Sequence, residues 1–105
     1  MTSVKFLAEE NLYGFEISGH SSRDCDDQTG KIVCAAVSSA AYMAANTLTE
    51  IVGAKADITV DDGYIELTLR NPDGKTEIIL QGLELHISTL AQDYDEFILC
   101  KEKTL

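Results

Sequence analysis

The sequence predicts an α+β domain, with two helices packed on a mostly antiparallel sheet in the order ββαββαβ. Three observations predict it. Short β-prone stretches alternate apolar and polar residues on either side of two candidate turns, Glu10-Asn11 and Asp62-Gly63. Two longer stretches, 31–52 and 76–94, instead repeat apolar residues at three- and four-residue steps. The 105 residues, 45% apolar with one proline, suit a single domain over 1–105 that no linker or low-complexity segment divides.

Val4 and Phe6, then Tyr13, Phe15 and Ile17, place a hairpin over 3–19. Residues 20–30 hold serines, the acids Asp24, Asp26 and Asp27, and Gly30, with no apolar period. A loop of that length in so small a domain is often functional. The first helix, predicted over 31–52, carries Val33, Val37, Ala40, Ala44, Leu48 and Ile51 on one side, and Gly53 suits its C-terminal cap. Its many alanines give it a thin profile that allows close approach to a sheet or a partner helix. ADITVDD and YIELTLR read as the next two strands, and Asn71-Pro72-Asp73-Gly74 as a turn. The second helix carries Ile79, Leu83, Ile87 and Leu90 on one stripe, and Phe97 to Cys100 closes the sheet as a short strand.

Eighteen acids against eight bases give a net charge of −10, which disfavours direct contact with nucleic-acid phosphate and favours a basic partner. The N-terminus lacks the apolar core of a secretory signal, and no apolar run approaches the roughly 18 residues of a membrane span. The expectation is a soluble, cytoplasmic protein with no membrane partner. Its three cysteines, Cys25, Cys34 and Cys100, show no paired spacing and are expected to be reduced thiols.

The stretch from His20 to Cys34 carries the chemistry. The predicted helix start puts Cys34 at its third or fourth position, where the helix dipole and free amides favour a thiolate. Lys31 and Arg23 would add positive charge. A histidine beside that thiol could take its proton and later protonate a leaving amine, and amides at the helix start could hold an oxyanion. Composition and spacing alone favour Cys34, within IVCAAV, as a small core-facing side chain, and His20 as a hydrogen-bonded surface residue. His20, Cys25 and Cys34 with the neighbouring aspartates match no zinc spacing, so no metal is expected. His86, beside the apolar stripe of the second helix, reads as structural or interfacial. Cys100 reads as inert packing and Cys25 as an exposed thiol.

Gly19-His20, the glycine-containing loop, and Ile32-Val33-Cys34-Ala35-Ala36-Val37-Ser38 together resemble the ribosomal-processing cysteine protease family (Prp). The likeness extends over essentially the whole chain. It implies a bacterial cysteine endopeptidase with no cofactor. Such an enzyme removes the N-terminal extension of large-subunit ribosomal protein number twenty-seven, the bL-type subunit near the peptidyl-transferase centre. The segment recognised is apolar and aromatic, cut after a phenylalanine and followed by lysines. The resemblance also implies a homodimer, Cys34 as nucleophile, His20 as general base and acid, and Ser38 as a supporting residue. Lys31 stands where the family usually has an aspartate, and the interval from histidine to cysteine is about two residues longer. Any orienting carboxylate would then fall to Asp24, Asp26 or Asp27.

Two other functions fit the same residues. Lys31 and the longer loop suit a non-catalytic module that binds a basic ribosomal or assembly partner. Cys25 and Cys34 could instead form a redox-sensing pair, recognised by a disulfide that forms under mild oxidation.

Overall fold

The computed structural model describes residues 2–19 and 28–104, and of 101–104 the backbone alone. The alternating stretches form strands as expected. β1 (Thr2–Glu9) and β2 (Asn11–Ser18) turn at Glu10, and β3 (Ala56–Asp61) and β4 (Tyr64–Leu69) turn at Asp62-Gly63. The helices are α1 (Gln28–Asn46), continued by a π-helical segment (Thr47–Ile51), and α2 (Gly74–Asp93). The last strand, β5 (Ile98–Thr104), ends the described chain.

The sheet order is β3-β4-β2-β1-β5. Every neighbouring pair is antiparallel except β1 with β5, which run parallel with Thr2 opposite Ile98. The predicted class, two helices on a mostly antiparallel sheet in the order ββαββαβ, is the observed one.

Period-two burial explains how the layers meet. Val4, Phe6, Phe15, Ile17, Ile65 and Leu67 are buried and share one cluster with Val33, Val37, Ala41, Ala44 and Leu48 of the first helical stretch. From α2, Leu80, Leu83 and Ile87 complete it. The alternate strand residues Ser3, Lys5, Glu16, Glu66 and Thr68 remain half-exposed on the uncovered face. A register shift between Leu7 and Ala8 marks a bulge, and the Leu12 amide donates to Glu77 Oε2 at 2.8 Å. That bond ties the first turn of α2 to the hairpin.

Three local expectations change. The first helix begins at Gln28 rather than Lys31, so Gly30 lies buried inside it and does not close a loop. An internal glycine costs a helix only about 1 kcal/mol, which tertiary packing readily offsets. The same helix ends in π geometry, with the Val52 amide donating to Thr47 O at 2.9 Å. The Thr47 and Thr49 hydroxyls donate back to Met43 O and Ala45 O, a habit that bends helices. Gly53 then closes it at a φ of 78°, in the expected cap conformation. Asp73-Gly74 is a helix start and not a free turn: Asp73 caps α2 by accepting from the Thr76 amide at 3.0 Å, and Thr76 Oγ1 accepts from the Asp73 amide.

The stretch Gln28–Ile51 is, contrary to expectation, long and apolar enough to cross a membrane by length and composition. Its Val33, Val37, Ala41, Ala44 and Leu48 side chains lie in the core, as in a helix that covers a sheet.

Candidate active site

β1 begins, β2 ends and β4 begins at one end of the sheet, because Ser3 pairs with Ser18 and Ser18 with Tyr64. The chain leaves β2 through Gly19, whose amide donates to Gly63 O at 2.9 Å. Gly19 takes a φ of 75° there. His20, the next residue, lies outside the described residues, as do Arg23, Asp24, Cys25, Asp26 and Asp27.

Cys34 comes to this same end. Its side chain is 9% exposed, and its Sγ lies 3.5 Å from Oγ1 of Thr2, the first residue of β1. Thr2 is one of two buried polar side chains among the described residues, and sequence reading passed over it. The signal was present: alternation sets Thr2 on the core face with Val4 and Phe6.

Two expectations about Cys34 change. It is the seventh residue of α1, so it sits beyond the first turn, where the helix dipole acts. Its amide likewise falls within the helical ladder, which removes it as an oxyanion donor. Nor is it a free thiol: Cys34 is disulfide-bonded, and among the described residues Cys100 is the free cysteine. Spacing along the chain does not report distance across a fold, which is why the odd set of cysteines did not suggest this.

Ser38 follows Cys34 by one helical turn and is half-buried. Lys31, one turn before it, is exposed. Beside them a shallow groove of about 440 Å³ is lined by Gln28, Lys31, Ile32 and Ala35, with Ile32 exposed to solvent. A larger apolar groove of about 650 Å³ runs between α1 and α2, past Ala36, Ala40, Met43, Ile79 and His86. His86 is thus an exposed residue of a helix–helix groove.

On the uncovered face of the sheet, opposite the helices, two carboxylates lie side by side next to Lys5. Glu16 pairs with Glu66 across β2 and β4, and the Tyr64 hydroxyl donates to Glu66 Oε2 at 3.1 Å. Burial, that hydrogen bond and the two carboxylates push the Tyr64 phenol up to about 12, so it remains a neutral donor at physiological pH. Cys100 is half-buried with Ser88 Oγ 4.0 Å away, and burial raises its thiol above the ordinary range. That is the profile of an unreactive packing residue. Among the described residues no group of three His, Cys, Asp or Glu side chains could hold a metal ion.

The whole fold resembles known structures. A Streptococcus mutans protein, SMU.848, matches with a TM-score of 0.89 at 26% identity, over 100% of this chain and 96% of that one. The essential ribosomal processing protease Prp of Staphylococcus aureus, in complex with a substrate peptide, matches at 0.89 and 20% identity, over 98% of this chain and 100% of that one. The same S. aureus protease with a covalently linked product peptide matches at 0.83 and 22% identity, with the same coverage. Comparison with curated proteins returned no match. The model of the family described as cysteine protease Prp matches residues 1–99. With that match spanning nearly the whole sequence, and a buried cysteine at the sheet end toward which Gly19 leads, the chain belongs to the cysteine protease Prp family.

Proposed function

We propose that this protein is a cytoplasmic cysteine endopeptidase that removes the N-terminal extension of large-subunit ribosomal protein number twenty-seven. Cys34 is its nucleophile and His20 its general base and acid. The observation that carries this reading is local: Cys34 Sγ and Gly19, the residue before His20, lie at one end of the sheet in a chain of a cysteine protease family. The S. aureus neighbour is a ribosomal processing protease bound to a substrate peptide, which supports the substrate class. A net charge of −10 suits a lysine-rich partner. Ser38 supports the site from the next turn, and an orienting carboxylate comes from Asp24, Asp26 or Asp27 in the absence of one at Lys31.

The test is direct. Reduced protein mixed with the extended ribosomal protein should yield one new N-terminus, read by mass spectrometry, at a bond following a phenylalanine. His20→Ala should slow that cleavage by about 10²–10⁴-fold, the usual worth of a general base. An intact precursor after prolonged incubation would sink the substrate assignment. A His20→Ala rate equal to wild type would remove the base.

The homodimer belongs to the same reading. Exposed Ile32, Tyr42, Met43 and Ile51 on the first helical stretch, and Ile78 and Leu85 on α2, supply apolar surface for a second copy. Sedimentation equilibrium at micromolar concentration should give twice the monomer mass of 11.4 kDa; a monomer throughout would exclude it.

The disulfide at Cys34 favours one other reading, a redox-sensing thiol. Reduced protein that cleaves no peptide, yet reforms the Cys34 disulfide under mild oxidation, would leave that reading in place of the peptidase.

A further inference from the structure

We infer that Thr2 positions the Cys34 sulfur: its hydroxyl donates a hydrogen bond that holds Sγ in place and favours the thiolate. The inference rests on Cys34 being the nucleophile of the reading above. Thr2 is 1% exposed, and a hydroxyl so deeply buried is expected to be hydrogen-bonded. Its Oγ1 lies 3.5 Å from Cys34 Sγ. A disulfide-bonded sulfur carries no hydrogen, so here the Thr2 hydroxyl is the donor and the sulfur the acceptor. Reduction turns that sulfur into a better acceptor. A thiolate receives the same O–H as a charge-assisted bond, and a hydrogen bond to the charged form lowers the thiol pKa.

The hydroxyl is also held in position. Thr2 is β-branched, which restricts its side-chain torsion, and its amide donates to Phe97 O at 2.8 Å. Register with β5 sets Ile98 opposite it. Pinned backbone and stiff side chain together give the sulfur a donor in one direction.

In the proposed reaction that donor adds to what the His20 imidazole supplies. Cys34 is the seventh residue of α1, past the turn in which the helix dipole acts. Among the described residues the nearest charged group on its own helix is Lys31, exposed one turn away. On β1, Lys5 belongs to the opposite face of the sheet, and β5 offers the apolar Ile98 beside Thr2. His20, Asp24, Asp26 and Asp27 lie outside the described residues. Ser38 shares the Cys34 face of the helix.

The experiment compares fully reduced wild type, Thr2→Val and Thr2→Ser. Valine keeps the volume and strand preference but removes the hydroxyl; serine restores it. Alkylation of Cys34 at graded pH, read by mass on its own peptide, needs no substrate. Thr2→Val should raise the Cys34 thiol pKa by about one unit, the worth of a hydrogen bond to a charged group. Thr2→Ser should stay near wild type. The kcat/KM for peptide cleavage by Thr2→Val should fall about tenfold at neutral pH and recover at alkaline pH, because one unit of pKa is a tenfold change in thiolate. An alkylation profile in Thr2→Val identical to wild type overturns the inference. So does a loss of cleavage equal at every pH and shared by Thr2→Ser with a lowered melting temperature, which would mark a packing role only. If the alkylation shift appears while wild type cleaves no peptide, the hydrogen bond stands and the peptidase reading falls.

Discussion

Replacing Cys34 by alanine is expected to lower peptide cleavage by about 10⁴-fold or more, because the reaction then lacks its nucleophile. In the proposed reaction the Cys34 thiolate attacks the scissile carbonyl carbon, and the tetrahedral intermediate collapses to a thioester. The amine leaves with a proton from the His20 imidazolium. Water, deprotonated by the same imidazole, then hydrolyses the thioester and restores the thiolate. Alanine removes one sulfur atom from a nearly buried site, a small enough change to leave the fold in place. The measurement is therefore paired and made on reduced protein: cleavage of the extended ribosomal protein, and a melting curve within a few degrees of reduced wild type, so that loss of the disulfide does not enter. The disulfide sharpens the same expectation, since a sulfur bonded to sulfur cannot attack a carbonyl. Protein kept without a thiol reductant should be inactive and should regain its full rate on reduction. A Cys34→Ala protein that cleaves at the wild-type rate would end the nucleophile assignment.

Placing a methyl group on Gly14 is expected to lower stability by about 2–3 kcal/mol, the upper range for overpacking a site that cannot yield. A Cβ at Gly14 would run into the backbone oxygen of Leu67, with Leu67 C at 3.1 Å. That oxygen belongs to β4, which is paired with β2 on one side and β3 on the other, so it has little freedom to retreat. For a domain of this length the loss corresponds to ~10–20 °C in Tm. Gly82→Ala gives the contrast: on exposed α2 its Cβ would meet nothing within 4 Å, and a helical alanine should stabilise by about 0.5–1 kcal/mol. Urea unfolding of both variants would check the pair. A Gly14→Ala midpoint equal to wild type would show that the sheet has room for the methyl group.

The element order was readable because each element carries its own period. Val4-Phe6 and Phe15-Ile17 alternate, while Val33-Val37-Ala44-Leu48 recur at helical steps, and such patterns depend only on neighbouring residues. The parallel return of β5 beside β1 is different. No local signal says which edge a last strand joins, and packing of α2 across the sheet decides it.

For the candidate site, residue types alone offered His20 and Cys34 as a dyad or as ordinary packing, and family likeness chose between them. The start of α1 was misplaced by three residues, because Gly30 reads as a breaker in isolation and as a tolerated small residue once buried. That shift moves Cys34 out of the reach of the helix dipole. A hydroxyl from 32 residues away in the chain, that of Thr2, lies beside the sulfur instead.

By itself, then, the sequence determined the α+β class and the acidity, which are set by composition and local period, and its likeness to a family singled out one cysteine to test. Only the tertiary structure decided what touches that cysteine. Contact between the first strand and the second turn of α1 follows from how a helix lies on a sheet, a property of the packed chain that no short stretch contains.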